Sequence, residues 1–160
     1  TKESENVSWT EKEFSEQRIV TNAILEELFK FNINPDIGEL ETVKAGAVFH
    51  LRNKINFTTN ESALAIANAL HPTPAISGNP KNQAISTIKI AENHEREYYC
   101  GFGGIVKNGE VENLFVNLRC ASVSNNQICL YVGGGITKDS ELSKEWEECD
   151  RKATSLLRFL

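Results

Sequence analysis

The stretch EYYCGFGGIVKNGEVENLFVNLRCASV, residues 97–123, decides the fold class of this chain. Apolar and β-branched residues flank Asn108-Gly109, a dipeptide that accepts the positive φ angles of a two-residue hairpin turn. The segment therefore predicts two antiparallel strands, the second running on through LFVNLRCASV (114–123). Ser124 to Asn126 supply another turn, QICLYV (127–132) another strand, and the glycines of VGGGI (132–136) close it. Working outward, the flanks are mostly helical. Ser8 or Thr10 caps a helix with Glu11 and Glu13 in its first turn, where carboxylates suit the macrodipole. Apolar residues at 20, 23, 24, 28 and 31 keep a helical period until Asn32 to Pro35. One strand is expected over 45–57, AGAVFHLRNKINF. A helix ends at Leu70, another runs from about Pro80 to Ala91, and Asp139 or Ser140 caps a last helix. Helices and antiparallel strands fall in separate groups, which makes the class α+β.

At 160 residues the chain can bury one core, and a single domain over 1–160 is expected. A net charge of −5 with no basic stripe argues against nucleic acid. No apolar run approaches the roughly eighteen residues of a membrane span, and TKESENVSW is not a signal peptide. Cysteines 100, 120, 129 and 149 lack metal-ligand spacing. Three of them lie in apolar patterns and read as buried free thiols, which suits a reducing, cytoplasmic compartment. The chain has 0 methionines, so residue 1 is not a native start and a longer parent protein is expected.

Several features point to chemistry. HPTPAISGNPK (71–81) holds three of the chain's 4 prolines, the mark of a rigid loop rather than a flexible linker. On the last helix Leu142, Trp146, Cys149, Ala153 and Leu156 predict a buried stripe. Glu141, Glu145, Glu148 and Lys152 share one flank of it, as a solvated face or as a cation site. On the first helix Glu13 and Glu16 lie a turn apart, and Glu16 leads toward the core side. Two such carboxylate pairs, with oxygen ligands only, suit Mg²⁺. The VGGGI glycines can turn backbone N–H groups toward an anion. Arg119, in an apolar strand, needs either an acidic partner or an anionic ligand. His50, in AVFHL, is either a core histidine or a catalytic group.

HPTPAISGNPK, the run from Glu95 to Gly104, LFVNLRCA, LYVGGGI and KEWEECDRK together resemble, in this order, the C-terminal part of the chorismate-binding enzymes. The resemblance runs from about Trp9 to Leu157. It implies the anthranilate synthase component I-like α/β sandwich with antiparallel sheets, and it implies chorismate as ligand. Ala75 in LHPTPA resembles the isochorismate-forming branch, with salicylate synthase as the alternative, or a catalytically silent chorismate- and Mg²⁺-binding fragment. The resemblance implies that Glu16 and Glu148 hold Mg²⁺, with Glu13 and Glu145 as a second pair. It implies that Arg119 binds the enolpyruvyl carboxylate beside Tyr99. Gly133 and Gly135 would receive a carboxylate near Lys152, and His50 would line the reacting ring. Ala75 to Gly78 would form a pocket wall. Two departures are Gln17, where the family often has His, and Cys100, where Gly is usual. The family's water-activating lysine and acid glutamate lie upstream of the first helix and have no match in residues 1–9. The expectation is a chain with metal and anion grips but without its base and acid. It should expose apolar surface, and self-associate or pair with a missing N-terminal portion.

Overall fold

The computed structural model describes residues 8–45, 48–108 and 110–157. The chain divides into two compact units, Thr1–Pro74 and Ala75–Leu160.

In the first unit, α1 spans Glu11–Lys30. Thr10 begins it: its backbone N–H and hydroxyl both donate to Glu13 Oε2, at 2.6 and 2.8 Å. The helix stops where the Phe31 and Ile33 amides both return to the Leu28 carbonyl and Asn32 takes φ +56°. Strands β1 (Asp36–Ile37), β2 (Glu41–Ala45), β3 (Val48–Arg52) and β4 (Ile55–Asn56) follow, then α2 (Ala63–Leu70). Ser62 caps α2 by accepting the Ala65 N–H at 3.1 Å. The core is small: Leu28, fully buried, packs with Ile33 and Ile66, flanked by Ile24, Phe31, Ile55 and Leu70.

The single strand expected over 45–57 is corrected to a hairpin and a separate short strand. β2 pairs with β3 from Glu41↔Arg52 to Ala45↔Val48, and β4 pairs with β1. Part of the expected strand, residues 46 and 47, lies outside the described residues.

The second unit begins with a four-residue helical turn, α3 (Pro74–Ser77, starting at the boundary), and continues with α4 (Lys81–Ala91). β5 (Phe102–Lys107) and β6 (Glu110–Val116) form the expected hairpin, with Asn108 at φ +53° in its turn and Gly109 outside the described residues. β7 (Cys120–Ser124) pairs with β8 (Gln127–Tyr131). The long strand expected through 114–123 is thus broken. Asn117 explains the break: its N–H donates to Gly101 O (2.7 Å), its carbonyl accepts from Cys100 N–H (2.8 Å), and its amide donates to Tyr98 O (2.9 Å). Held by three bonds to the segment before β5, the chain turns at Arg119, which has φ +50° and is exposed. The expected burial of Arg119 is therefore corrected.

The last helix, α5, spans Leu142–Leu157. Neither Asp139 nor Ser140 caps it. Ser140 Oγ accepts from Thr137 N–H at 3.0 Å to close the preceding turn, and the Glu141 carbonyl takes the first helical bond, from Glu145 N–H. The buried stripe is also corrected: Leu142 and Trp146 are 85% and 75% exposed. Cys149, Ala153 and Leu156 are half-buried, where α5 packs against β8. The thiols are all free, but Cys129 is exposed and the other three only half-buried. Ile90, Tyr98, Phe115, Val123 and Ile136 are exposed as well. Among the described residues no helix is long and apolar enough to cross a membrane.

Because Leu28 sits at the centre of so small a core, Leu28→Ala should cost about 2–5 kcal/mol in urea unfolding. A loss below about 1 kcal/mol would show that the core lies elsewhere.

Candidate functional site

The proline segment places its residues by packing. His71-Pro72 and Asn79-Pro80 are cis peptides. Gly78 takes φ +76°, and a Cβ there would lie 2.7 Å from the Ala84 Cβ, so only glycine lets α4 approach this closely. Ser77 is buried, its hydroxyl donating to Gly78 O at 3.3 Å, whereas Ala75 is exposed.

The glycine turn after β8 is where the expected residues converge. Lys152, reaching back from α5, donates to the Gly133 carbonyl at 2.8 Å. The same ammonium lies 2.7 Å from Glu148 Oε1, one helical turn earlier. A carbonyl and a carboxylate thus fix one lysine, whose side chain is only 18% exposed. On the other side of the turn stands Tyr99: a Cβ built on Gly133 would lie 2.8 Å from its hydroxyl oxygen. Glu145 lies against the turn too, its Oε2 3.4 Å from where a Cβ on Gly134 would be. Nothing lies within 4 Å of the Cβ position of Gly135. One glycine turn therefore gathers Gly133, Tyr99, Lys152, Glu145 and Glu148.

The electrostatics follow from this packing. Burial works against ionisation of Glu148, but the hydrogen bond and charge of Lys152 outweigh it and hold the carboxyl below its usual range. Tyr99 is half-buried and stacks on Tyr131 with ring centroids 5.8 Å apart. Burial, reinforced by Cys100 and only partly opposed by Arg96, pushes its hydroxyl well above the ordinary tyrosine value. Tyr99 thus stays a neutral donor, which suits a carboxylate ligand. Burial also pushes the Cys100 thiol up, so it stays protonated.

The remaining expected residues are placed as follows. Arg119 occupies the exposed turn between β6 and β7. Glu13, Glu16 and His50 belong to the first unit. Glu13 supports the start of α1, and Glu16, expected toward the core, is 45% exposed with Lys12 at 3.9 Å. His50 is half-buried in β3, opposite Val43. Among the described residues no three His, Cys, Asp or Glu side chains gather as a metal cage. The α5 pair supplies carboxylate oxygens only, and one or two carboxylates completed by water and substrate is a common Mg²⁺ arrangement. The donor chemistry of Glu145 and Glu148 fits that ion.

Sequence reasoning missed Arg96 and Glu92. Arg96 Nε donates to Glu92 Oε2 at 2.7 Å and Nη2 to Oε1 at 2.5 Å, and its guanidinium carbon lies 5.7 Å from the Tyr99 ring centroid. Their i, i+4 spacing was the available signal.

Comparison with known proteins gives a consistent result. The family model for "Chorismate binding enzyme" matches residues 2–160. Isochorismate synthase MenF of Haemophilus influenzae is 32% identical over 149 residues, covering 92% of this chain and 34% of that protein. Isochorismate synthase EntC of Escherichia coli is 34% identical over 157 residues, covering 92% and 39%. The solved structure of the menaquinone-specific isochorismate synthase MenF from Escherichia coli superposes with a TM-score of 0.82 at 31% identity, covering 92% of this chain and 34% of that one. The chain therefore spans between a third and two fifths of the length of these relatives.

Two outcomes follow from the glycine turn. Gly133→Ala should displace Tyr99, and adding Tyr99→Phe, which removes the clashing oxygen, should recover most of the lost stability; no recovery in a thermal-melt cycle would place the clash elsewhere. Lys152→Met should raise the Glu148 titration, read by carboxyl carbon NMR. In the native chain Glu148 adds stability above the usual carboxylate range and loses it as pH falls through its lowered value. In the variant burial is opposed only by more distant charge such as Arg151, so this contribution shrinks; an unchanged titration would contradict the pairing.

Proposed function

Since this chain belongs to the chorismate-binding enzymes, we propose that it carries the metal and carboxylate grips of an isochorismate synthase. That enzyme would convert chorismate to isochorismate by adding a hydroxyl at C2 with loss of the C4 hydroxyl. The reading is carried by one observation: the glycine turn at Gly133 holds a lysine, a neutral tyrosine hydroxyl and two carboxylates in a chain whose relatives are named isochorismate synthases.

Each group has a proposed task. Backbone N–H groups of Gly133 and Gly135 receive one substrate carboxylate, and the ammonium of Lys152, held at Gly133 O, keeps positive charge beside it. Tyr99 donates a hydrogen bond to the same ligand. Arg119 binds the enolpyruvyl carboxylate from its turn, where the exposed guanidinium is open to a bidentate partner. Ala75 and Gly78 wall the ring and hold it in one pose. Glu145 and Glu148 would hold Mg²⁺, which supplies positive charge to offset the ring carboxylate. Metal binding by Glu13 and Glu16, and a ring-side role for His50, belong to the same proposal and are tested by their own variants. A general base and acid are not assigned to this chain. A catalytically silent chorismate- and Mg²⁺-binding fragment is the second reading, and turnover separates it from the first.

The test incubates the 160-residue chain with chorismate and Mg²⁺, following binding by calorimetry and products by mass spectrometry. Binding that requires Mg²⁺, without turnover, is expected, and Glu148→Gln should weaken it at least about tenfold. Isochorismate formed by this chain alone would place a base and acid within it, with His50 and Lys152 the first candidates. Salicylate and pyruvate would move the assignment to salicylate synthase. Absence of chorismate binding would overturn the proposal.

A further inference from the structure

The polar groups around Tyr99 extend beyond the substrate grips. Arg96 is bonded through all three of its side-chain nitrogens: Nε and Nη2 grip both oxygens of Glu92, and Nη1 donates to the Ile76 carbonyl at 3.3 Å. Ile76 lies in the proline segment, between Ala75 and Ser77. The guanidinium carbon lies over the Tyr99 ring, 5.7 Å from its centroid, and the Arg96 carbonyl accepts from Tyr99 N–H at 2.7 Å. Tyr99 in turn stacks on Tyr131 and abuts Gly133. The proline segment and the glycine turn, more than fifty residues apart in sequence, are thus joined through one ion pair and one aromatic ring.

The pair is built to be stiff. Glu92 closes α4, its N–H donating to Ile88 O at 2.9 Å, so its backbone is fixed. Both side chains are less than a third exposed. A two-pronged arginine–carboxylate contact fixes orientation as well as distance, which a lysine cannot do. Bound to Arg96, the Glu92 carboxyl is held below its usual range, so the contact stays ionised at neutral pH.

We infer that Glu92 and Arg96 are positioning residues of the carboxylate grip: they hold Tyr99 against Gly133 and set the spacing between the proline segment and the glycine turn. Neither touches the ligand in this assignment, which rests on the function proposed above. Arg96 acts through Tyr99 and Ile76.

The test uses amide-resolved NMR of the 160-residue chain, first without ligand and then titrated with chorismate and Mg²⁺. Arg96→Gln should shift the amides of Ile76, Ser77, Gly133 and Gly134 while the first unit keeps its resonances. Arg96→Lys, which keeps the charge and loses the fork, should shift the same set. Shifts confined to residues 92–99 would overturn the inference whatever happens with ligand. In the titration Arg96→Gln should weaken chorismate binding about tenfold, and Arg96→Gln added to Tyr99→Leu should weaken it little further. Affinity within twofold of the native chain, or losses that simply add, would also overturn it. A native chain that ignores chorismate would instead sink the functional reading, leaving the ligand-free spectra to judge the network. Should Arg96→Gln fail to fold, Glu92→Gln, which keeps size and one hydrogen bond, gives the same readout with smaller shifts.

Discussion

Each described strand has a single hydrogen-bonded neighbour, and that constraint shapes the rest of the molecule. Two-stranded antiparallel ribbons are marginal in water unless something covers a face. Here β1 with β4, β2 with β3, β5 with β6 and β7 with β8 make four such ribbons. In the first unit α1 and α2 provide cover and enclose Leu28. In the second, α5 covers part of β8, while Phe115 and Val116 on β6 and Leu142 and Trp146 on α5 face solvent.

The glycine turn gains order from elsewhere. Residues 133–136 have no ladder of their own, and their position is set by side chains arriving from α5 and from the segment before β5. Lys152 is central to this. Its ammonium joins the turn's backbone to Glu148, so the helix and the turn move together. In the proposed function the same ammonium stands beside the amides assigned to a substrate carboxylate.

What the sequence disclosed depended on how local each cause was. The α1 start is signalled by Thr10 and Glu13 three residues apart, and the β5–β6 turn by Asn108-Gly109; both were legible because the interacting groups are neighbours. The break at Arg119 was not, since it comes from Asn117 bonding back to residues 98–101. AGAVFHLRNKINF hid a hairpin because its partner strand, ETVKA, is charged and carries weak alternation. The burial expected of the α5 stripe fails at Leu142 and Trp146 because periodicity states which residues share a face and not what lies against it. Around the glycine turn, glycine clustering and helical spacing single out Gly133, Glu148 and Lys152, which the structure brings together. Arg96 escaped notice although Glu92 lies at i, i+4, because spacing alone does not distinguish a solvated surface pair from one packed under a tyrosine.

The exposure of Leu142 and Trp146 has a consequence for stability whenever another surface covers them. Any surface that covers those side chains binds the folded form and not the unfolded one, and so deepens the native well by an amount set by its concentration. With such a surface present, the melting temperature would be a point on a binding curve that rises with the concentration of whatever covers α5. Covering that face of α5 would join folding and association in one equilibrium.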